Sequence, residues 1–218
     1  MDYDDIVAAG ISYADRFTDS EVIGNIDTFL RFGEARLSRL LKVRKASVRA
    51  ILSVNPDADY YSIPSDFGGL RDIQLNCIQP DGSEKRKTLR YMNPEQIEWK
   101  SQQTSNNDLG YYCIVADQIR VSPAVGSSDF LEIAYYQRIL PLSPGNPHNW
   151  VSDDHPDLYL ASLMYEIELF VKNHDVATGW EERLNKALDE LGVTDVEERW
   201  SGTPLEIRTD FNTGNRRP

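Results

Sequence analysis

The strongest hydrophobic pattern in the chain covers residues 149–171. From Leu158 to Val171, apolar side chains fall on nearly every side of a helix, which is typical of a helix buried on most of its faces. Pro156 suits the first helical position, and Asp153, Asp154 and Asp157 suit the positive end of the helix dipole. The stretch is shorter than a membrane span and carries two internal glutamates. We expect the central helix of a bundle, or a helix wedged between subunits.

Three further stretches have the 3.6-residue period of amphipathic helices. The first covers residues 3–14. The second begins at a capping box formed by Thr18 and Glu21, and it carries leucines and isoleucines on one stripe and arginines on the opposite one. The third follows Asp175, which suits an N-cap.

Between residues 46 and 142 the period changes to the two-residue alternation of β-strands. Proline and glycine turns separate the segments, and Asp117 marks a tight hairpin. Asn93 and Pro94 predict one short helix inside this region.

These elements predict an α+β fold, in which a helical bundle of about four helices carries an antiparallel β insertion. We expect residues 1–45 and 149–201 to form the bundle domain. Residues 46–148 would form the β domain and a return linker, with Asn149 and Trp150 closing the junction and the Trp150 indole buried there. Residues 202–218 would form an extended arm.

The last segment is too apolar for a solvated tail, because Leu205, Ile207 and Phe211 alternate as on one face of a strand. We expect it to be mobile in the free chain and to add to the sheet edge of a partner. A disordered tail without a role is the alternative.

Charge is unevenly distributed along this acidic chain, which has a formal net charge of −12. Residues 31–49 hold seven Lys or Arg against Glu34 alone, a net charge of +6, whereas residues 150–200 hold thirteen acids against four bases, a net charge of −9. The overall charge argues against wrapping nucleic acid. The asymmetry predicts basic-to-acidic contact between copies, with a solvated arginine face as the alternative.

No pattern of catalytic chemistry is present in the sequence: there is no Gly-rich phosphate loop, HExxH, CxxC pair or nucleophile elbow. The acids beside His155 are explained by helix capping without a metal ion. Cys77 and Cys113 lack metal spacing and are expected to be core residues, and we predict no catalytic, metal or cofactor site. The first ten residues lack the basic and apolar regions of a signal peptide, which predicts a chain kept in the cytoplasm.

Four short patterns follow one another along residues 26–163. They are Ile26, Phe29-Leu30, Gly33-Glu34-Ala35-Arg36-Leu37 and Leu40; Ile63-Pro64-Ser65-Asp66-Phe67; Tyr112 with Gln118-Ile119-Arg120-Val121-Ser122-Pro123; and Tyr135-Tyr136, Leu140-Pro141-Leu142-Ser143, Asn149-Trp150 and His155-Pro156-Asp157-Leu158-Tyr159-Leu160-Ala161-Ser162-Leu163. In this order they resemble the motifs of head-to-tail adaptor (connector) proteins of tailed, especially short-tailed, bacteriophages.

The resemblance implies a structural protein of the virion, made in the host cytoplasm and not an enzyme. Such a protein forms a ring, usually dodecameric, beneath the portal protein, extends the DNA channel and offers a platform to the next tail component (nozzle or tail tube). Genomic DNA would pass through without specific binding, which suits an acidic channel wall.

Two sets of residues are the predicted sites. The subunit or portal interface comprises Arg31, Arg36, Arg39, Arg44, Leu205, Ile207, Arg208, Phe211, Arg216 and Arg217, and the structural signature comprises Asn149, Trp150, Pro156, Asp157 and Tyr159.

Two other functions remain open at the level of sequence. A virion-associated enzyme that cuts cell-wall glycan would need a glutamate in apolar company as general acid, and Glu166 is the candidate. A DNA-binding module would use the arginine-rich helix and show steep salt dependence.

Overall fold

The computed structural model describes residues 1–53, 58–79, 81–101, 110–122 and 124–199. Six helices and seven strands lie within these ranges: α1 (Tyr3–Tyr13), α2 (Ser20–Leu40), β1 (Ser47–Leu52), β2 (Tyr60–Ser62), β3 (Phe67–Ile78), β4 (Glu84–Tyr91), α3 (Pro94–Ser101), β5 (Gly110–Val115), β6 (Gln118–Ser122), β7 (Phe130–Gln137), α4 (Trp150–Asp154), α5 (Pro156–Phe170) and α6 (His174–Arg199). A single 3-10 turn, Arg44–Ala46, precedes β1. The predicted C-terminal arm lies outside the described residues.

Side-chain caps fix where the helices begin. Asp2 and Asp5 form a capping box on α1. The cap of α2 is Asp19, which accepts from the backbone N–H groups of Glu21 and Val22, so the prediction that Thr18 caps this helix is wrong. An unpredicted short helix, α4, is capped by Asn149 and separates the linker from α5, which opens at Pro156 as predicted.

Helix α5 lies at the centre of a helical core built with α1, α2 and α6. Its Leu163 and Ile167 side chains have no accessible surface, as expected for a helix that is apolar all round. Two glycines let its neighbours approach closely. A Cβ atom on Gly10 of α1 would lie 2.6 Å from Leu163 Cδ2, and one on Gly33 of α2 would lie 2.6 Å from Ser162 Oγ.

The seven strands form one mixed sheet in the order β1-β7-β3-β4-β5-β6-β2. Five of the six strand pairs are antiparallel, while β4 and β5 run parallel because the chain crosses over through α3 between them. Alternate residues of β3 and β7 face a second apolar core, where Ile73 pairs with Ile133 and Leu75 pairs with Leu131. All four side chains are buried.

The predicted fold class is therefore wrong: the chain is not a four-helix bundle carrying a smaller antiparallel insertion. Six helices accompany a seven-stranded mixed sheet that has its own hydrophobic core. Alternation of apolar residues identifies a strand, but it specifies neither the partner strand nor the direction of pairing. The parallel pairing of β4 with β5 was therefore missed. The predicted domain boundaries stay predictions.

Candidate functional site

Two of the signature residues belong to one buried hydrogen-bond network. The Asn149 side-chain Nδ2 donates to the backbone oxygen of Leu140 at 2.8 Å and to the Tyr159 hydroxyl at 2.6 Å. The Tyr159 hydroxyl donates to Glu34 Oε1 at 3.1 Å, and the Leu142 N–H donates to the same oxygen at 2.6 Å. The network therefore ties α2, the return linker, α4 and α5 into one junction.

Glu34 is a carboxyl group at the centre of this junction and only 4% exposed. Burial raises the pKa of Glu34, while the hydrogen bonds from Leu142 and Tyr159 and the charge of Arg31 act in the opposite direction. Burial also raises the pKa of the Tyr159 hydroxyl, as does the charge of Glu34. Glu34 Oε2 is buried and has no hydrogen-bond partner among the described residues. In the sequence, Glu34 is the one acid of the basic segment 31–49 and part of the first family pattern, and neither feature predicts that it is buried.

The other signature residues lie around the network. Pro156 is the first residue of α5, and Asp157 lies in the first turn of this helix. The positive end of the helix dipole stabilises the negative charge of Asp157 there. Trp150 is half-buried rather than fully buried; it packs on the helical core and meets the His155 ring edge-on at 6.2 Å between centroids.

The predicted arginines of 31–49 separate into two groups. Arg36 and Arg44 contact other residues of the same chain. Arg36 forms an ion pair with Glu181 of α6, and its guanidinium lies 4.4 Å from the centre of the Tyr165 ring. Arg44 is exposed at the start of the 3-10 turn, and its backbone N–H donates to Asp195 Oδ1 at 2.6 Å. Arg31 and Arg39 face a groove on the other side of α2.

This basic groove, of about 710 Å³, lies between α2, the beginning of β3 and the return linker. Four cations line it: Arg31, Arg39, Lys42 and Arg138. Its floor holds Glu34, Ala35, Ser38, Gly68, Ile139 and Pro141. Lys42 and Arg138 are absent from the predicted interface. Lys42 lies just after α2 and could have been found as a member of the basic segment 31–49. Arg138 lies about a hundred residues away and joins the others only through the fold.

Two cations of the basic segment form ion pairs with acids of the same chain. Besides the Arg36–Glu181 ion pair, Lys45 Nζ lies 2.5 Å from Asp154 Oδ2. The basic segment therefore contacts the acidic region of its own chain through both pairs, and only some of its charges remain for a partner.

Comparison with known proteins decides the family. The model of the SU10 adaptor protein family matches residues 1–208. The chain belongs to this family. The match includes the four patterns at 26–163 and confirms that the protein is a phage head-to-tail adaptor. No curated protein gives a significant match to the chain.

Membership of this family makes the adaptor a structural component of the virion, a class of protein that is not typically enzymatic, and implies contact with portal and tail components. Glu166, the candidate general acid of the enzyme alternative, is half-buried, and burial raises its pKa, while Arg36 and Arg39 act in the opposite direction. The charged groups that act on the pKa of Glu166 are thus the cations Arg36 and Arg39. Among the described helices, none is long and apolar enough to cross a membrane.

The predicted site residues of the arm, Leu205, Ile207, Arg208, Phe211, Arg216 and Arg217, lie outside the described residues. Their role stays a prediction.

Proposed function

We propose that the adaptor forms a ring beneath the portal, continues the DNA channel and presents the platform on which the next tail component docks. The family match over residues 1–208 is the observation that carries this proposal. A ring is the arrangement by which many copies of one chain continue a channel, since identical head-to-tail contacts close when the rotation per copy divides a full turn. A dodecamer is the number that the resemblance suggests.

The acidity of the chain supports a channel through which DNA slides. Each chain has a net charge of −12, so a ring of chains repels DNA phosphates on average. Arg36 and Lys45 are paired with acids of the same chain, which weakens their attraction for phosphates. Genomic DNA therefore passes without specific binding. The arginine-helix DNA-binding alternative loses Arg36, which is paired with Glu181, but keeps Arg31 and Arg39. Steeply salt-dependent DNA binding by the free adaptor would favour that alternative.

The C-terminal arm is the proposed contact with the portal. Leu205, Ile207 and Phe211 would fill pockets while main-chain hydrogen bonds add the segment to a sheet edge of the portal, and Arg208, Arg216 and Arg217 would supply charge. Arg31, Arg36, Arg39 and Arg44 were predicted for the subunit or portal interface; of these, Arg31 and Arg39 line the groove and suit an intermolecular role best.

The proposal is tested by mixing the purified adaptor with purified portal rings of the same phage and following both by sedimentation velocity. We expect the adaptor to co-sediment with the portal to a fixed stoichiometry, and the complex to bind the next tail component more tightly than the portal alone does. An adaptor that sediments independently of portal at every ratio would contradict the proposal.

A further inference from the structure

The basic groove carries cations that the chain itself leaves without ion pairs. Arg31, Arg39, Lys42 and Arg138 are all exposed, and none of them forms a salt bridge with any residue of the described ranges. Glu34 is the one acid among the residues that line the groove, so the four cations leave it with a net positive charge, which favours an acidic occupant. Its floor includes the apolar Ala35, Ile139 and Pro141, which gives the occupant an apolar contact as well.

The outer face of the last turns of α6 has the complementary properties. Asp189, Glu190 and Glu197 are exposed there, and no Lys or Arg lies between residues 189 and 197. Glu190 has a partner in its own chain, the exposed Lys186, whose Nζ lies 3.9 Å from Glu190 Oε1. Between these acids Val193 and Val196 are 61% and 55% exposed. We call these five residues the acidic ridge. The two valines add an apolar contact to the charges of the acids, which matches the mixed lining of the groove.

The ridge cannot reach the groove of its own chain. Helix α6 packs on α5, and the Arg36–Glu181 ion pair ties it to α2. Near its other end, the bond from the Arg44 N–H to Asp195 ties it to the 3-10 turn. Asp195 is buried at that contact, which leaves the residues of the ridge on the outer side of α6. The two surfaces can therefore meet only between different copies.

We propose that the basic groove of one adaptor receives the acidic ridge of the next copy. This inference rests on the proposed ring and assigns the surfaces by which its subunits recognise each other. The Arg and Lys side chains of the groove would form ion pairs with Asp189, Glu190 and Glu197. Val193 and Val196 would pack against Ala35, Ile139 and Pro141 of the groove. Because groove and ridge are different surfaces, the contact is head-to-tail, and repeating it generates a ring when the rotation per copy closes, as the proposed ring requires.

Cysteine cross-linking tests the contact directly. Ala35→Cys places a thiol in the groove and Val193→Cys places one on the ridge, both in a Cys77→Ser background; the native Cys113 is buried. The two variants, carrying tags of different mass, are mixed at low salt with a short bismaleimide. The matched control replaces Val193→Cys with Val176→Cys, an exposed valine in the first turn of α6.

We expect the mixture of groove and ridge thiols to give several-fold more heterodimer than the control mixture, and the yield to fall as salt rises. Equal yields in the two mixtures would overturn the proposal. In the presence of portal, cross-linking of the Ala35→Cys thiol to the portal instead of to the ridge would also overturn it.

Charge reversal separates this inference from the proposed function. The groove variant carries Arg31→Glu and Lys42→Glu, and the ridge variant carries Asp189→Lys and Glu190→Lys. Each alone should lose neighbour-to-neighbour cross-links on the portal, while an equal mixture of the two restores them because each reversed surface meets its reversed partner. If each variant alone cross-links as well as the parent, the groove–ridge contact is wrong even where portal binding persists. If the parent itself fails to bind portal, it is the proposed function that fails.

Discussion

Three residues, Glu34, Tyr159 and Asn149, form the buried hydrogen-bond network of the helical core. Each lies in a different segment, and together they fix the angle at which the return linker meets α5. All three residues belong to the patterns of the family resemblance, but nothing in the sequence connects Asn149 and Tyr159 with Glu34. Hydrogen bonds between positions more than a hundred residues apart follow from the fold and leave no local pattern.

The raised pKa of Glu34 predicts a pH dependence of stability. Because the folded-state pKa lies above the ordinary value of 4.5, the folded chain binds the proton more tightly than the unfolded chain does. The stabilising contribution of this group is therefore complete below pH 4.5 and is lost as the pH rises through the folded pKa. Glu34→Gln removes the titration, so we expect the free energy of unfolding of the variant, relative to the parent, to increase from pH 4.5 to pH 7. Urea denaturation at both pH values measures it. A difference that stays constant, as expected for the exposed control Glu182→Gln, would contradict the assignment.

Removing the Tyr159 hydroxyl tests the same network at constant pH. Tyr159→Phe leaves the buried Glu34 and Asn149 groups each short of one hydrogen bond, a loss that costs about 1–3 kcal/mol of unfolding free energy. Tyr13→Phe, at a position that is 61% exposed, serves as control and should change stability by less than about 0.5 kcal/mol. Chemical denaturation of both variants gives the comparison, and equal effects would show that the network contributes nothing.

At the scale of elements, the sequence predicted what depends on local chemistry. Pro156 and the apolar run after it identified α5, and Asn93 with Pro94 identified α3. The cap of α2 was misplaced by one residue because Thr18 and Asp19 are both good caps, and only the backbone geometry selects Asp19. The parallel pairing of β4 with β5 could not be predicted, since register and direction are settled by long-range packing.

The close contact of α2 with α5 gives a sharp comparison between two glycines of one helix. Gly33→Ala would put a Cβ atom 2.6 Å from Ser162 Oγ, whereas Gly24→Ala meets nothing within 4 Å. We expect Gly33→Ala to destabilise the chain by about 1–3 kcal/mol through overpacking. Gly24→Ala should stabilise it by about 0.5–1 kcal/mol, because alanine is the better helix former.

Adding Ser162→Ala to Gly33→Ala should recover most of the loss, since it removes the clashing oxygen. Thermal or urea unfolding of the three variants measures the effects. If Gly33→Ala is as harmless as Gly24→Ala, the helices do not approach as closely as described.

The predicted arm is tested by deleting residues 203–218. We expect the thermal midpoint to stay nearly unchanged and portal docking to be lost, because a short apolar segment contributes its binding only when it adds to a partner. The control deletes only residues 212–218, which keeps Leu205, Ile207 and Phe211. Normal portal docking by the variant that lacks residues 203–218 would show that the arm is not the contact with the portal.

At the scale of the whole molecule, the family and the uneven charge were visible in the sequence, while the arrangement of that charge was not. The sequence predicted contact between the basic segment of one copy and the acidic region of the next. In the fold, Arg36 pairs with Glu181 and Lys45 with Asp154 of the same chain. Arg138 and Arg31 line the same groove. The charges that remain are exposed, and exposed pairs contribute only about 0–1 kcal/mol each. The free adaptor should therefore associate weakly at physiological salt, with the portal acting as template.

The proposed ring of adaptors on the portal should be visible by electron microscopy of the adaptor alone and of the adaptor mixed with portal rings at physiological salt. We predict single copies in the first sample. In the second, we predict a closed ring on one face of the portal, with its channel continuous with the portal channel. Adaptors that stay as single copies beside bare portal rings would contradict the claim.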